Sequence, residues 1–192
     1  MAEFFEIIIL SAIQGISEFI PVSSSAHLYL MSEVQNFEIK SLLTDVSLHL
    51  GSLLAILFYF RDDFLKLFKD QKLLKLLVFG SIPLIIVGFF VFKTGLINYF
   101  RSIEIIAWTT VIFAIFLYIA DKFSVRKKID TDLSLRAILA IGFFQVLALI
   151  PGVSRAGIVI TAGRFLNFDR YDSAKISFFL SVPAIAGASF LN

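Results

Sequence analysis

Four stretches of this sequence, Asp45–Phe60, Leu73–Phe92, Glu104–Ala120 and Ser173–Leu191, approach the run of about 20 predominantly apolar residues that a helix needs to cross a bilayer. Composition points the same way. Of the 192 residues, 58% are hydrophobic and 17% charged, against roughly 45–50% apolar and about 25% charged in a soluble domain. A soluble fold of this size would run short of polar residues to cover its surface. The absence of cysteine excludes an extracellular disulfide scaffold. A net charge of +2 gives a nucleic-acid partner no support. The expectation is an all-α, polytopic integral membrane protein in contact with membrane lipids.

Two further apolar stretches are interrupted. Phe4–Met31 carries Gln14, Glu18, Pro21, the run Ser23-Ser24-Ser25 and His27, and Leu135–Leu166 carries Gln145, Pro151, Gly152, Ser154 and Arg155. Broken, polar backbone is tolerated at membrane depth only where protein or a polar cavity surrounds it. Both stretches are therefore expected to be re-entrant helical hairpins. Positive charge sets the orientation: five basic residues lie in Arg61–Lys75 and five in Asp121–Arg136, whereas Ser32–Thr44 has only Lys40, and Lys93–Ile103 only Lys93 and Arg101. The positive-inside rule puts the two rich loops in the cytoplasm. The first hairpin then enters from outside and the second from the cytoplasm.

An internal repeat agrees with that inversion. At an offset of 131, Gln14 falls on Gln145, Val22 on Val153 and Ser23 on Ser154. Val46-Ser47-Leu48 parallels Ile176-Ser177-Phe178 at an offset of 130. The reading is a single membrane domain over 1–192, with a first repeat at about 1–95 and a second from about 135. Inverted repeats place the working site near the midplane, where the broken segments meet. The second copy stops at Asn192 before matching the first in length, so the sequence is expected to lack C-terminal segments.

The chemistry sits in the two broken segments. Gln14 and Glu18 are four apart, on one helical face. Pro21 interrupts that helix, and Ser23-Ser24-Ser25 offers hydroxyls and a cap for a new helix whose free N–H groups can hold an anion. His27 follows within a turn. The second segment repeats the design as Pro151-Gly152-Val153-Ser154-Arg155-Ala156-Gly157. Its guanidinium suits phosphate because the planar fork donates two parallel charge-assisted bonds. This set fits phosphoryl-group chemistry. Arg155 would neutralise phosphate, Glu18 would bind a divalent cation or move a proton, and His27 or a serine would act as nucleophile or general base. Magnesium, with calcium as the alternative, is the expected cofactor, because one carboxylate plus substrate phosphate is how magnesium is usually held.

These residues closely resemble the two motifs of the bacterial undecaprenyl-diphosphate phosphatase family, the BacA-type enzymes. Gln14-Gly15-Ile16-Ser17-Glu18-Phe19-Ile20-Pro21-Val22-Ser23-Ser24-Ser25-Ala26-His27 is similar to the first, and Pro151–Gly157 to the second. Leu50-Gly51-Ser52 and Ser181-Val182-Pro183 extend the match. The resemblance implies hydrolysis of undecaprenyl diphosphate to undecaprenyl phosphate and inorganic phosphate, which recycles the lipid carrier of cell-wall synthesis and bears on bacitracin resistance. It also implies a bacterial inner-membrane location with the site toward the outer side. Carried over by position, it implies catalytic roles for Glu18, Ser24, His27, Ser154 and Arg155. It further implies substrate-binding roles for Ser23, Ser25, Gly152, Arg155 and Thr161, and metal contacts from Glu18 and Gln14. The chain departs from the pattern at Gln14, where many members have glutamate, at Ala156 in place of serine, and at Val159 in place of threonine.

Several residues have plainer readings. Ser23 and Ser25 are expected to be helix caps more than catalysts. His49, alone on the second apolar stretch, reads as a structural or cavity-lining residue, and Gln145 as a hydrogen-bonding residue between helices. An inverted-repeat transporter or flippase of anionic lipid is the alternative function, because broken helices at the midplane are also a transporter design. The sequence is compatible with a homodimer without fixing the oligomeric state.

Overall fold

The structure is a computed structural model describing residues 2–37, 42–100 and 102–191; Lys40 and Arg101 of the charge count lie outside them. Among the described residues the regular elements are all helices, with one isolated backbone bridge between Lys127 and Phe168. The elements are α1 (Ala2–Ser17), α2 (Ser24–Val34), α3 (Leu42–Tyr59), α4 (Arg61–Lys69), α5 (Gln71–Thr94), α6 (Ile103–Asp121), α7 (Ile129–Asp132), α8 (Leu135–Val146), α9 (Arg155–Phe165) and α10 (Arg170–Leu191). Short 3-10 turns cover Leu96–Phe100 and Leu147–Leu149.

The long apolar helices stop where their caps stop them. Asp70 accepts from the N–H groups of Lys72 and Leu73 to start α5, and Gly95, at φ 65°, ends it in the left-handed conformation that glycine adopts without strain. Ser102 accepts from Ile105 N–H to start α6. With 24 and 19 residues, α5 and α6 are long and apolar enough to span a bilayer. Their outward faces carry large exposed apolar side chains, among them Val78, Phe79, Val111 and Trp108, which is 69% exposed. That outer surface has no water-compatible covering and marks a membrane protein.

Arg61–Lys75, read from sequence as a loop, contains a helix instead. Phe64 and Leu67 in α4 share one face and pack on the cluster formed by Leu77, Ile129, Leu133 and Phe168. Asp62 and Asp63 in its first turn and Lys66 and Lys69 in its last complement the helix dipole. Lys175 of α10 pairs with Asp63 at 3.1 Å, tying α4 to the bundle.

Packing within the bundle relies on small residues, as close backbone approach in membranes requires. A Cβ on Gly142 of α8 would collide with the carbonyl of Gly80 in α5, and one on Gly163 of α9 would lie 2.6 Å from Ser173 Oγ in α10. Arg164, 3% exposed, donates to the carbonyls of Asp121 (2.9 Å), Phe123 (2.8 Å) and Phe168 (2.7 Å). It thereby closes the end of α6 over the α9–α10 turn. One sequence expectation fails here. Gln145 is fully buried, yet neither amide atom has a hydrogen-bond partner among the described residues. The bond between helices expected of it is not made among the described residues.

Candidate active site

α1 runs without a breaker to Ser17, whose hydroxyl donates back to the Ile13 carbonyl at 2.6 Å. Pro21 then excludes Ile20 from helical conformation, and the chain turns over residues 18–22. Ser23 restarts it by accepting from Ala26 N–H, so that α2 begins at Ser24. The turn leaves Glu18 and Ser24 facing each other: Ser24 Oγ donates to Glu18 Oε2 at 2.7 Å. Gln14, one turn behind, donates from Nε2 to the same Oε2 at 3.1 Å and to Ser52 Oγ of α3 at 3.3 Å. Its Oε1 is buried without a partner among the described residues.

The second broken segment is held from outside. Thr109 of α6 donates to the Pro151 carbonyl at 2.7 Å, and Thr110 to that of Gly152 at 3.3 Å. Gly152 sits at φ 92°, and any Cβ there would strike Thr109 Oγ1, so only glycine fits. Ser154 then caps α9 by accepting from Gly157 N–H at 3.1 Å. The two breaks abut, since a Cβ on Gly157 would come within 3.1 Å of the Pro21 carbonyl.

Arg155, the first residue of α9, bridges the segments. Its Nη2 donates to Glu18 Oε1 at 2.6 Å and its Nη1 to the Ser177 carbonyl of α10 at 3.3 Å. Guanidinium, carboxylate and hydroxyl thus form one chain, Arg155–Glu18–Ser24. It lies at a cavity of about 820 Å³ that also touches Ser23, Ser25 and Ser154. The cavity reaches the first turns of both α2 and α9, where unpaired N–H groups and the positive end of the dipole favour an anion. Its opposite wall is apolar, built from residues 84–86 and 88–92 of α5 and from Ala184, Ile185 and Gly187 of α10. Pro83 and Pro183 precede these two wall segments.

Of the residues singled out from sequence, Glu18, Ser23, Ser24, Ser25, Ser154 and Arg155 line this cavity, and Gln14 stands directly behind Glu18. Three others are placed elsewhere. His27 is exposed and does not line the cavity; its Nδ1 donates to the Ser23 carbonyl at 2.6 Å, an intrahelical bond that holds the ring along α2. Gly152 shapes the turn, and Thr161 is buried within α9, donating to the Gly157 carbonyl at 2.7 Å. The imidazole that does reach the carboxylate is His49 of α3, read from sequence only as structural or cavity-lining. Its Nε2 lies 3.4 Å from Ser24 Oγ and 3.6 Å from Glu18 Oε2. The available signal was that a histidine inside an apolar membrane stretch is functional by default. Thr109 and Thr110 gave no such signal, because threonine in an apolar helix usually bonds its own backbone.

As a metal centre the site is sparse. Among the described residues no group of three or more His, Cys, Asp or Glu side chains could hold an ion. The candidate protein donors are the Glu18 carboxylate and the unpartnered Gln14 Oε1. That set fits a divalent ion shared with substrate phosphate and not an all-protein cage.

Comparison with known proteins adds an independent line. Residues 7–192 match the family described as bacitracin resistance protein BacA. The chain is 60% identical over 188 residues to an undecaprenyl-diphosphatase of Pelagibacter ubique (strain HTCC1062), covering 97% of this chain and 73% of that relative. It is 45% identical over 194 residues to one of Elusimicrobium minutum (strain Pei191), covering 96% and 74%. Against one of Alteromonas mediterranea it is 42% identical over 200 residues, covering 97% and 75%.

Proposed function

Because this chain belongs to the bacitracin resistance protein BacA family, we propose that it is a membrane-embedded phosphatase that hydrolyses undecaprenyl diphosphate to undecaprenyl phosphate and inorganic phosphate. The observation that carries this reading is the Arg155–Glu18–Ser24 chain at the polar end of a cavity whose far wall is apolar. A prenyl diphosphate has that division: a multiply charged head and a long hydrocarbon tail.

Arg155 receives the terminal phosphate, helped by the first-turn amides of α2 and α9. Ser24 is the nucleophile, because its hydroxyl lines the cavity and its proton is already directed at Glu18 Oε2. Its oxygen attacks the terminal phosphorus, the bond to the bridging oxygen breaks, and undecaprenyl phosphate leaves with that electron pair. Water then attacks the phosphoserine, releases phosphate and restores the hydroxyl with the proton that Glu18 took up. Ser154 and Ser25 complete the polar lining around the head group. Glu18 and Gln14 Oε1 would hold a divalent ion, magnesium or calcium, which when bound neutralises phosphate charge.

The finer architecture follows the same reading. The pairs α1–α2 and α8–α9 are two re-entrant hairpins of an inverted repeat, the first repeat at about 1–95 and the second from about 135. In support, each pair packs on itself, breaks at a proline and restarts at a serine cap. The site faces the outer side of the bacterial inner membrane. The cavity is walled by the later halves of α5 and α10, which both start beside the basic loops that the positive-inside rule keeps in the cytoplasm.

The test is phosphate release from undecaprenyl diphosphate by the detergent-purified protein, with and without magnesium, beside Glu18→Ala and Arg155→Ala. Metal-dependent release that both variants lose supports the enzyme and its site. Arginine-dependent lipid movement without phosphate release would replace it by the carrier reading.

A further inference from the structure

Glu18 and Ser24 are gripped from α3 as well as by each other. His49 and Ser52 lie three residues apart, on one face of that helix. Ser52 Oγ takes the second bond from Gln14 Nε2 (3.3 Å), which fixes the amide that contacts Glu18. One turn earlier, His49 Nδ1 donates to the Asp45 carbonyl at 2.7 Å. That bond sets the plane of the imidazole and leaves Nε2 at the cavity wall, against Ser24 Oγ (3.4 Å) and Glu18 Oε2 (3.6 Å).

A serine hydroxyl has one proton and two lone pairs. With Nδ1 committed to the Asp45 carbonyl, His49 presents the lone pair of Nε2, so the single Ser24 proton lies between two acceptors, Glu18 Oε2 at 2.7 Å and His49 Nε2 at 3.4 Å, and the oxygen's lone pairs are left to the cavity. The side chain is thereby confined to the orientation in which a lone pair faces an incoming phosphorus. Effective molarity depends on such confinement, and small misplacements cost rate much more than they cost binding.

We propose that His49 is a positioning residue of the reaction: its carbonyl-anchored imidazole holds the Ser24 hydroxyl in the attacking orientation against Glu18. The role is distinct from that of His27, whose ring is bonded along α2 outside the cavity. It rests on the phosphatase reading above.

The experiment compares steady-state hydrolysis of undecaprenyl diphosphate by wild type, His49→Leu and His49→Gln, purified in detergent, each with a thermal unfolding curve. Leucine fills the space but offers Ser24 no polar contact, whereas glutamine keeps a polar atom within reach of both Asp45 and Ser24. His49→Leu is expected to lose about 10- to 100-fold in kcat, the cost of a misplaced reacting group, with KM within about threefold of wild type on the same grounds. His49→Gln should recover most of that loss. Unchanged kcat in a folded His49→Leu protein overturns the proposal, as does a raised KM with kcat preserved, which would make His49 a binding residue only. A kcat loss that tracks a lowered unfolding temperature and is not relieved by glutamine also overturns it. Absence of phosphate release from folded wild-type protein would instead overturn the phosphatase reading, and this inference with it.

Discussion

Arg155 and Glu18 stand 137 residues apart in the sequence and 2.6 Å apart in the fold, Nη2 to Oε1. Both are enclosed, with side-chain exposures of 16% and 6%. Neither belongs to a helix interior: Glu18 opens the turn that follows α1, and Arg155 is the first residue of α9. The contact therefore joins the breaks themselves, and the site exists only when the two segments dock. A charge pair at such a depth is costly to form and more costly to break, because removal of one partner leaves the other charge uncompensated.

Glu18→Leu and Arg155→Leu should each lower stability by about 3–5 kcal/mol, the usual cost of orphaning one member of a buried pair. The double variant should recover a large part of that loss while remaining inactive. Thermal unfolding in detergent, read beside phosphate release, separates the two effects. If the double variant is as unstable as the sum of the singles, the pair is not acting as a coupled buried unit.

Thr109 should matter through Arg155 without touching it. Its hydroxyl holds the Pro151 carbonyl at 2.7 Å and blocks every side chain at Gly152. Thr109→Val keeps the shape and removes the bond, so the Pro151–Gly152 turn loosens and Arg155 loses its register with Glu18. The expected result is a roughly tenfold fall in kcat, within the range that a loosened supporting contact costs, with Thr109→Ser close to wild type. Gly152→Ala should be worse in both activity and stability, by about 1–3 kcal/mol for the strained backbone alone. Kinetics on the three variants, with unfolding temperatures, check the order.

The sequence and the structure part company at identifiable places. Leu73–Phe92 and Glu104–Ala120 become α5 and α6 almost end for end, because continuous apolar runs bounded by Asp70, Gly95 and Ser102 leave few alternatives. α4 was hidden because its charges dominate its composition, and its Phe64–Leu67 stripe gains meaning only once Phe168 and Ile129 are there to cover it. At the site, Glu18, Ser24 and Arg155 stood out as polar residues in apolar surroundings. His49 was as conspicuous chemically, but nothing local tied it to Glu18, 31 positions away; that tie comes from the packing of α1 on α3. His27 shows the converse, since nearness in sequence to Ser24 does not bring its ring into the cavity.

Outside the membrane-spanning helices, Asp169 gives the fold a pH dependence whose sign can be worked out. The backbone N–H of Asp172 donates to its Oδ1 at 2.7 Å and Lys128 Nζ to its Oδ2 at 2.6 Å. Together they hold the Asp169 carboxyl below the usual carboxylate range, the Asp172 N–H contributing most. A carboxyl lowered in the folded state stabilises the fold above its unfolded value of about 3.9, and the contribution disappears as pH falls through the folded value. Lys128, raised by the same hydrogen bond and then by the charge of Asp169, works at the other limit. Its contribution is complete below about 10.4 and is lost as pH rises through the folded value. Asp169→Asn keeps an oxygen to cap α10 and removes only the charge. The variant should therefore unfold at a lower temperature than wild type at pH 7, and the gap should close as the pH falls below about 3.9 and on through the lowered folded value of Asp169, where its side chain becomes as neutral as asparagine. Added salt should narrow the neutral-pH gap as well, because the Lys128 side of the pair is exposed and screened. A gap that persists unchanged in acid would mean that the carboxylate charge is not what Asp169 contributes.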